Sequence, residues 1–150
     1  NDLRRRTIAG NIDPIYSRIG DVSTNGSTGM PVHAVTATGD YTGVSANHVL
    51  LHTAGSNGSF VQRIRAQAEG TNTASVLRIY LNNGSSNTTA TNNCLIGQVS
   101  LPGTTATNTA ATVEVDYPLN IALPAGFRIY VGVGTTVAAG WMCCCIAGQY

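Results

Sequence analysis

The sequence contains no lysine and has few charged residues of either sign. Charged side chains make up 10% of the 150 residues, against about 25% in an average soluble protein. A net charge of +1 gives no general attraction to nucleic acid or to a membrane surface, so we expect neither as a partner. All eight cationic residues are arginine. Arginine suits buried contacts between subunits because its guanidinium forms planar, bidentate hydrogen bonds, although the base composition of the gene explains the choice equally well.

Long apolar runs are also missing. No run approaches the roughly 18 residues that span a bilayer, and the basic N-terminus is not followed by the apolar core of a signal peptide. The chain is nevertheless 43% hydrophobic, and its apolar residues are patterned, which argues against disorder. A length of 150 residues is enough for one domain with a continuous core.

Motifs for catalysis and metal binding are absent from the sequence. No serine lies in a G-x-S-x-G elbow, and no glycine loop of the phosphate-binding or dinucleotide type occurs. His48 and His52 would lie about 13 Å apart on an extended strand, too far to share a metal with bonds of about 2.0 Å. We expect these two and His33 to be exposed or to lie on a threefold axis. The sequence therefore predicts no enzyme, no metal site and no cofactor.

Glu114 and Asp116 form the closest approach to a catalytic carboxylate pair. They are two residues apart on one strand face, about 6.6 Å at the backbone. Glycosidase pairs normally come from different elements that line an aromatic cleft, and only 6% of this chain is aromatic. We interpret the pair as part of a solvated face, or as partners for Arg78 or Arg128 across the sheet.

The cysteines do not follow a disulfide or zinc pattern. Cys143, Cys144 and Cys145 are consecutive, so the middle side chain points away from the other two on a strand, and convergent metal ligation is excluded. Adjacent cysteines also bridge poorly. We interpret these residues as small apolar side chains in a reducing environment. A bridge from Cys94 to Cys143 or Cys145 stays open.

Alternating apolar residues predict β-strands along most of the chain. Apolar side chains recur at every second position, between clusters of Asn, Gly, Ser, Thr and Pro. With no helical stretch of about 10 residues, the pattern predicts an all-β fold. We expect an antiparallel two-sheet sandwich of about eight strands that is jelly-roll-like, and an immunoglobulin-like sandwich is the alternative.

Several segments carry specific expectations about which residues face the core. Residues 41–53 are predicted to be extended. In the next strand, Phe60, Ile64, Ala66 and Ala68 are expected to share the core face, opposite Arg63, Arg65 and Gln67.

The strands that follow alternate in the same way. Leu77, Ile79 and Leu81 are expected inward, with Arg78 and Tyr80 outward. After a long polar loop that ends at Asn93, the expected inward set is Leu95, Val99 and Leu101. In a later strand Phe127, Ile129, Val131 and Val133 are expected to share one face, opposite Arg128, Tyr130 and Gly132.

Residues 1–14 are expected to form an N-terminal arm, and residues 15–150 a single sandwich domain. The arm contains Arg4, Arg5 and Arg6 and has no usable periodicity. It is either a solvated tail or a segment that reaches onto a neighbouring subunit and pairs with carboxylates there.

The final strand, residues 141–146, is apolar on both faces. Trp141, Cys143 and Cys145 share one face, and Met142, Cys144 and Ile146 share the other. Such a strand must be covered on both sides. It is either a central strand covered by loops or a strand whose outer half meets another subunit, and we favour burial between subunits.

Residues 77–141 contain four distinctive stretches: the hairpin RIYLNNG, the loop NTTATNN, the phrase LPAGFRIYV and the closing AAGW. In these stretches the chain resembles small structural proteins of tailed bacteriophages. The resemblance implies a virion component, most simply a decoration (cement) protein on the outer surface of the capsid, made in the host cytoplasm. Such a protein binds between subunits of the major capsid protein, usually as a homotrimer, and needs a rigid β body, an arm and no active site.

On this interpretation two regions make the contacts. Arg4, Arg5, Arg6 and Ile8 of the arm would bind the capsid, and Trp141 and Met142 would lie between subunits. The alternatives are a tail or fibre subunit and a carbohydrate-recognising jelly roll at a receptor-binding tip, which would expose Tyr41, Tyr80, Tyr130 and Trp141. A major capsid subunit is a third possibility, for which the chain is short.

Overall fold

The chain folds into two stacked β-sheets. The computed structural model describes residues 19–21 and 32–150, and within these ranges it contains nine strands and one 3-10 helix. The strands are β1 (Ile19–Asp21), β2 (Val32–Ala34), β3 (Val49–Thr53), β4 (Ser59–Ala68), β5 (Ser75–Asn82), β6 (Asn93–Leu101), β7 (Glu114–Leu123), β8 (Arg128–Val133) and β9 (Trp141–Gln149), and the 3-10 helix is Ala90–Asn92. The predicted all-β class is confirmed.

The strand order is that of a jelly-roll-like sandwich. The first sheet runs β1-β9-β4-β7, and β2 also pairs with β9; the second sheet runs β3-β8-β5-β6. β1 pairs with one end of β9 and β2 with the other, so the two short strands share one edge position and each sheet has four positions. All pairings between these strands are antiparallel. From β2 onward the chain changes sheet at every connection except the β5–β6 hairpin, as in a jelly roll.

The core lies between the two sheets, and its largest fully buried side chain, Trp141, belongs to β9. Trp141, Cys143 and Cys145 are each 0% exposed and point into the chain's own core, so the predicted alternation along this strand is present. Trp141 pairs with Ala34 on β2 and with Ala68 on β4. Because both cross-strand neighbours are alanine, the sheet has room for an indole ring at this position.

Two of the three β-bulges in the described sheets overturn a predicted core position. The register of β4 shifts between Val61 and Arg63, and Val61 is 0% exposed whereas Phe60 is 37% exposed. The prediction that Phe60 faces the core was therefore wrong. A second shift, between Ile79 and Tyr80, makes Ile96 rather than Leu95 pack against the core. A bulge adds one residue and reverses the alternation on one side of it.

The predicted extension of residues 41–53 was also wrong over its first part. Strand β3 begins only at Val49, and residues 35–48 form a loop that contains an isolated bridge from Ala37 to Val133. The short polar turns of this segment are stabilised by local hydrogen bonds, such as that from Thr42 N–H to Asp40 Oδ1 at 2.8 Å. Such Asx-type turns compete with strand pairing.

All four cysteines lie in the described part of the chain, and all are reduced thiols. The Cys94–Cys143 and Cys94–Cys145 bridges that the sequence left open are not formed. Burial raises the pKa of Cys143 to about 12, so this thiol stays protonated and unreactive at neutral pH. It packs as a small apolar side chain, as predicted.

Asn72 ties three connections together at one end of the sandwich. Its side-chain Oδ1 accepts hydrogen bonds from the backbone N–H groups of Ala139 and Gly140 at 2.9 and 2.8 Å. Its Nδ2 donates to the Gly140 carbonyl at 3.0 Å. Its backbone N–H and C=O pair with Thr104 at 3.1 and 2.9 Å. The β4–β5, β6–β7 and β8–β9 connections are thus held by one residue that is 5% exposed.

Strand β7 forms one edge of the first sheet, and its regular backbone geometry is interrupted partway along. Pro118 has no backbone N–H to offer, and Asn120 adopts a left-handed conformation with φ of 51°. The pairing of β4 with β7 is irregular at the same place, between Val61 and Arg63. This edge is therefore a poor template for a further strand. Among the described residues, no helix is long and apolar enough to cross a membrane.

Candidate protein-contact surfaces

The outer face of the first sheet carries three rows of side chains across β9, β4 and β7. The backbone register gives the rows Met142–Gln67–Glu114, Cys144–Arg65–Asp116 and Ile146–Arg63–Pro118. The β9 end of each row is apolar. Met142, Cys144 and Ile146, which we name the β9 stripe, are all half-buried.

Beside the β9 stripe, arginines and carboxylates form a ladder of ion pairs. Arg65 contacts Glu114 through Nη2, and its Nε lies 3.5 Å from Asp116 Oδ1. Arg63 Nη1 lies 3.9 Å from Asp116 Oδ2. Hydrogen bonding to Glu114 and its charge raise the pKa of Arg65 above its usual value. The predicted pairing of Glu114 and Asp116 with Arg78 or Arg128 was wrong, because both arginines belong to the second sheet. Exposed pairs of this kind contribute little to stability, because water screens them.

The predicted contact residues fall into three groups. Arg4, Arg5, Arg6 and Ile8 lie outside the described residues. Trp141 is 0% exposed and fills the chain's own core, so its side chain offers no surface to a partner, contrary to the contact between subunits that was predicted for it. Met142 belongs to the β9 stripe. β9 is a central strand, which is one of the two placements that its sequence allowed.

The outer face of the second sheet is covered by the chain itself. Residues 35–48, which we name the covering loop, run beside the end of β8 and then across β5. Thr38 N–H donates to the Val133 carbonyl at 2.8 Å, and the Tyr80 hydroxyl donates to the Asp40 carbonyl. Tyr80 is consequently 1% exposed, although it points away from the core. Alternation alone places this residue outward but gives no sign of the loop above it.

Glycine at position 132 allows the covering loop to lie flat on the sheet. A Cβ at this position would lie 2.3 Å from Thr38 Cγ2 and 2.7 Å from His48 Cδ2. Any larger residue would therefore push the loop off the sheet. The close approach of the loop to the sheet therefore depends on the absence of a side chain at this position of β8.

His48 is the last residue of the covering loop, and its titratable side chain is buried. Its Nδ1 lies 2.7 Å from the Gly43 carbonyl, and because a carbonyl only accepts, Nδ1 carries the proton. Nε2 is then the unprotonated nitrogen, and it is buried with no hydrogen-bond partner. The ring packs on Tyr80 with centroids 4.2 Å apart. A proton on Nε2 would have no acceptor in this position.

Acid is expected to loosen the covering loop through His48. Burial lowers the pKa of His48 below 6.5, and the nearby charge of Arg78 acts in the same direction, whereas the Gly43 carbonyl and the Asp40 carboxylate oppose it. Between the lowered pKa and about 6.5 the unfolded chain binds more protons than the folded one. The stabilisation is therefore complete above about pH 6.5 and is lost as the pH falls through the folded pKa.

Urea unfolding between pH 5 and 7.5 checks this pH dependence, at pH values chosen around the ordinary histidine pKa of about 6.5. His48→Gln should lower stability near pH 7.5, and its difference from wild type should shrink as the solution becomes acidic. The control is Asn47→Ala, which removes the 2.8 Å bond from Asn47 Nδ2 to the Ala37 carbonyl but no titrating group. Its difference from wild type should stay constant. A constant difference for His48→Gln would contradict the assignment.

Arg78 and Tyr41 complete the outer face of the second sheet. Arg78 is 7% exposed, and Tyr41, in the covering loop, is 61% exposed. The Arg78 Cζ atom lies 4.3 Å from the centroid of the Tyr41 ring, within cation–π range. Arg78 was predicted to face outward, and it does, but its burial was not foreseen.

The remaining histidines do not form a site with one another. His52 and Ser59 are both 0% exposed, and His52 Nε2 lies 2.7 Å from Ser59 Oγ. This resembles a nucleophile–base pair in distance only, because the fold seals it from substrate. His33 pairs with Glu69 on the first sheet. The expectation of exposed histidines was wrong for His48 and His52. No cluster of three metal-ligating side chains occurs among the described residues.

Comparison of the chain with family models, with curated proteins and with solved structures finds no match.

Proposed function

We propose that the chain is a structural protein of a bacteriophage virion, a decoration (cement) protein that sits on the outside of the capsid and binds between major capsid subunits. The sequence resemblance in residues 77–141 is the origin of this proposal. Support comes from the distribution of side chains on the two outer faces, which offer contact surfaces but no accessible catalytic arrangement among the described residues.

The β9 stripe is the observation that carries the adhesive role. Met142, Cys144 and Ile146 follow one another along the outer face of a central strand, and the chain leaves them half-buried. On the second sheet, by contrast, the covering loop buries the corresponding face. A row of apolar side chains on the outer face of a sheet is suited to a contact with another protein, which would remove the remaining apolar surface from water. We assign the β9 stripe to the contact between copies in a homotrimer, and residues 1–14 to the capsid.

Capsids that lack this chain provide the direct test. The full chain should cosediment with them at saturation and should scatter light as a trimer in solution. A variant without residues 1–14 should lose cosedimentation and keep its β-sheet circular dichroism, because the arm precedes the sandwich. A matched full-length variant with Arg4, Arg5 and Arg6 replaced by serine keeps the length of the arm and removes these three charges. Its cosedimentation shows whether the charge of the arm is needed for binding. Undiminished binding by the truncated chain would rule out the arm as the capsid contact.

The carbohydrate-binding alternative has less support from the geometry. It needs several exposed aromatic side chains on one face. Of the four candidates, Tyr80 and Trp141 are buried at 1% and 0% exposure, and Tyr41 rests on Arg78. A glycan array that returns specific hits, without capsid binding, would favour this alternative over the decoration protein.

A further inference from the structure

Arg78 is a buried cation whose hydrogen-bonding capacity is largely unused. Its Nε and Nη1 atoms are fully covered and have no hydrogen-bond partner. The ion pairs formed by arginines in the described ranges involve Arg63 and Arg65, and none of these pairs includes Arg78. A guanidinium removed from water without an acceptor is strongly destabilising. Within the described residues, the arginine ion pairs therefore lie on the exposed face of the first sheet, and the buried Arg78 has none.

Tyr41 lies over Arg78 with most of its side chain in solvent. Tyr41 covers the guanidinium, and it is flanked by Gly39 and Gly43, which have φ values of 61° and 82°. Glycine adopts this left-handed conformation without strain. The ring is 61% exposed, so little packing holds it from the solvent side. The backbone on either side is held by Tyr80 at the Asp40 carbonyl and by His48 at the Gly43 carbonyl, so a rotation of the Tyr41 side chain alone would open the guanidinium to a partner.

Arginine and tyrosine together are typical of the residues that dominate binding energy in protein interfaces. The unused N–H groups of Arg78 match a carboxylate, which arginine binds in a planar, charge-assisted arrangement. Carboxylates of a second copy of this chain are unsuited, since those whose side chains are described are already engaged. Glu69 pairs with His33, Glu114 and Asp116 pair with the ladder of the first sheet, and Asp40 accepts from Thr42.

We propose that Arg78, beneath Tyr41, is the docking site for an aspartate or glutamate side chain of the capsid protein. This inference rests on the proposed function and adds to it a second capsid contact, on the outer face of the second sheet. On docking, Tyr41 turns aside and packs against the incoming segment, and the carboxylate accepts hydrogen bonds from the guanidinium. The charge that has no ion-pair partner among the described residues is then paired in the complex.

Replacing Arg78 by methionine separates a binding role from a structural one. Met keeps the apolar stem and removes the buried charge, so R78M should unfold at the same temperature as wild type or higher. Its affinity for capsids that lack the chain should fall on the order of 100-fold, as for loss of one partner of a buried, hydrogen-bonded charge pair. R78K, which keeps charge but loses the planar fork, should bind with intermediate affinity.

Arg128 supplies the matched control. It pairs with Asn82 on the same face of the second sheet, and its Nη1 lies 3.5 Å from the Ser85 carbonyl. R128M should bind capsids as wild type does. If R78M binds as tightly as wild type, or if its lost affinity comes with an equal loss of stability, the docking site is overturned.

A poly-glutamate peptide tests the site without a capsid. The peptide should raise the midpoint of thermal unfolding of the wild-type chain and leave that of R78M unchanged, because a ligand that binds only the folded state stabilises it. Equal shifts for the two proteins would overturn the inference. If wild type fails to bind capsids yet responds to the peptide, the proposed function fails and the carboxylate site stands.

Discussion

Replacing Asn72 by alanine is expected to lower the free energy of unfolding by about 3–5 kcal/mol. The change removes the acceptor of two backbone N–H groups, those of Ala139 and Gly140. Each buried donor left without a partner is destabilising by about 1–3 kcal/mol. The Gly140 carbonyl keeps the bond that Glu69 N–H donates at 3.0 Å, so it adds little to the loss.

Denaturant unfolding followed by circular dichroism, at one fixed protein concentration, measures this effect. Asn83→Ala is the control, because the Asn83 amide is exposed and donates to Asn92 Oδ1 at 3.2 Å. Its expected effect is within about 0.5 kcal/mol. A loss of less than about 1 kcal/mol for Asn72→Ala would mean that the three connections at this end of the sandwich are held by other contacts.

Truncating Trp141 to alanine is expected to be similarly severe, at about 3–5 kcal/mol. Trp141 is 0% exposed, and its flanking residues Ala34 and Ala68 are too small to fill the space that the indole leaves. The cavity would stay open between the sheets. Because domains of this size are stable by about 5–15 kcal/mol, a large part of the population could unfold at 37 °C.

Trp141→Phe distinguishes loss of volume from loss of the indole nitrogen. The indole Nε1 is buried and has no hydrogen-bond partner, so phenylalanine removes no bond and relieves an unsatisfied donor. We expect a loss below about 1.5 kcal/mol. Val113→Ala, at a side chain that is 39% exposed, should change stability by less than about 0.5 kcal/mol. Equal losses for the Ala and Phe variants would contradict the cavity explanation.

Alternation of apolar residues was sufficient to predict the fold class and most of the core. It placed Leu77, Ile79 and Val131 inside, and all three are buried at 0–1% exposure. It failed where a strand gained a residue. Phe60 and Leu95 each lie next to a register shift, and the sequence around them contains no glycine or proline pattern that marks a bulge uniquely.

The candidate surfaces were predicted less well, because they depend on contacts between distant parts of the chain. Arg78 was correctly placed on the outer side of its strand, but nothing in residues 35–48 shows that this loop folds across β5. The signal that could have found it is Gly132, a glycine on the outer face of β8. A glycine inside a strand often marks close approach by another segment. His48 lies in the segment that was predicted to be extended, and it was expected to be exposed or to lie on a threefold axis, whereas this loop buries it.

The interruption of β7 has a consequence for how copies of the chain can associate. With Pro118 and the left-handed Asn120 on its free edge, the first sheet cannot be extended by backbone hydrogen bonding along this whole strand. A second copy that approaches β7 must then bind through side chains, because this strand offers no continuous row of backbone hydrogen-bonding groups. Open-ended growth of the first sheet past β7, which an unpaired edge strand otherwise permits, is therefore disfavoured.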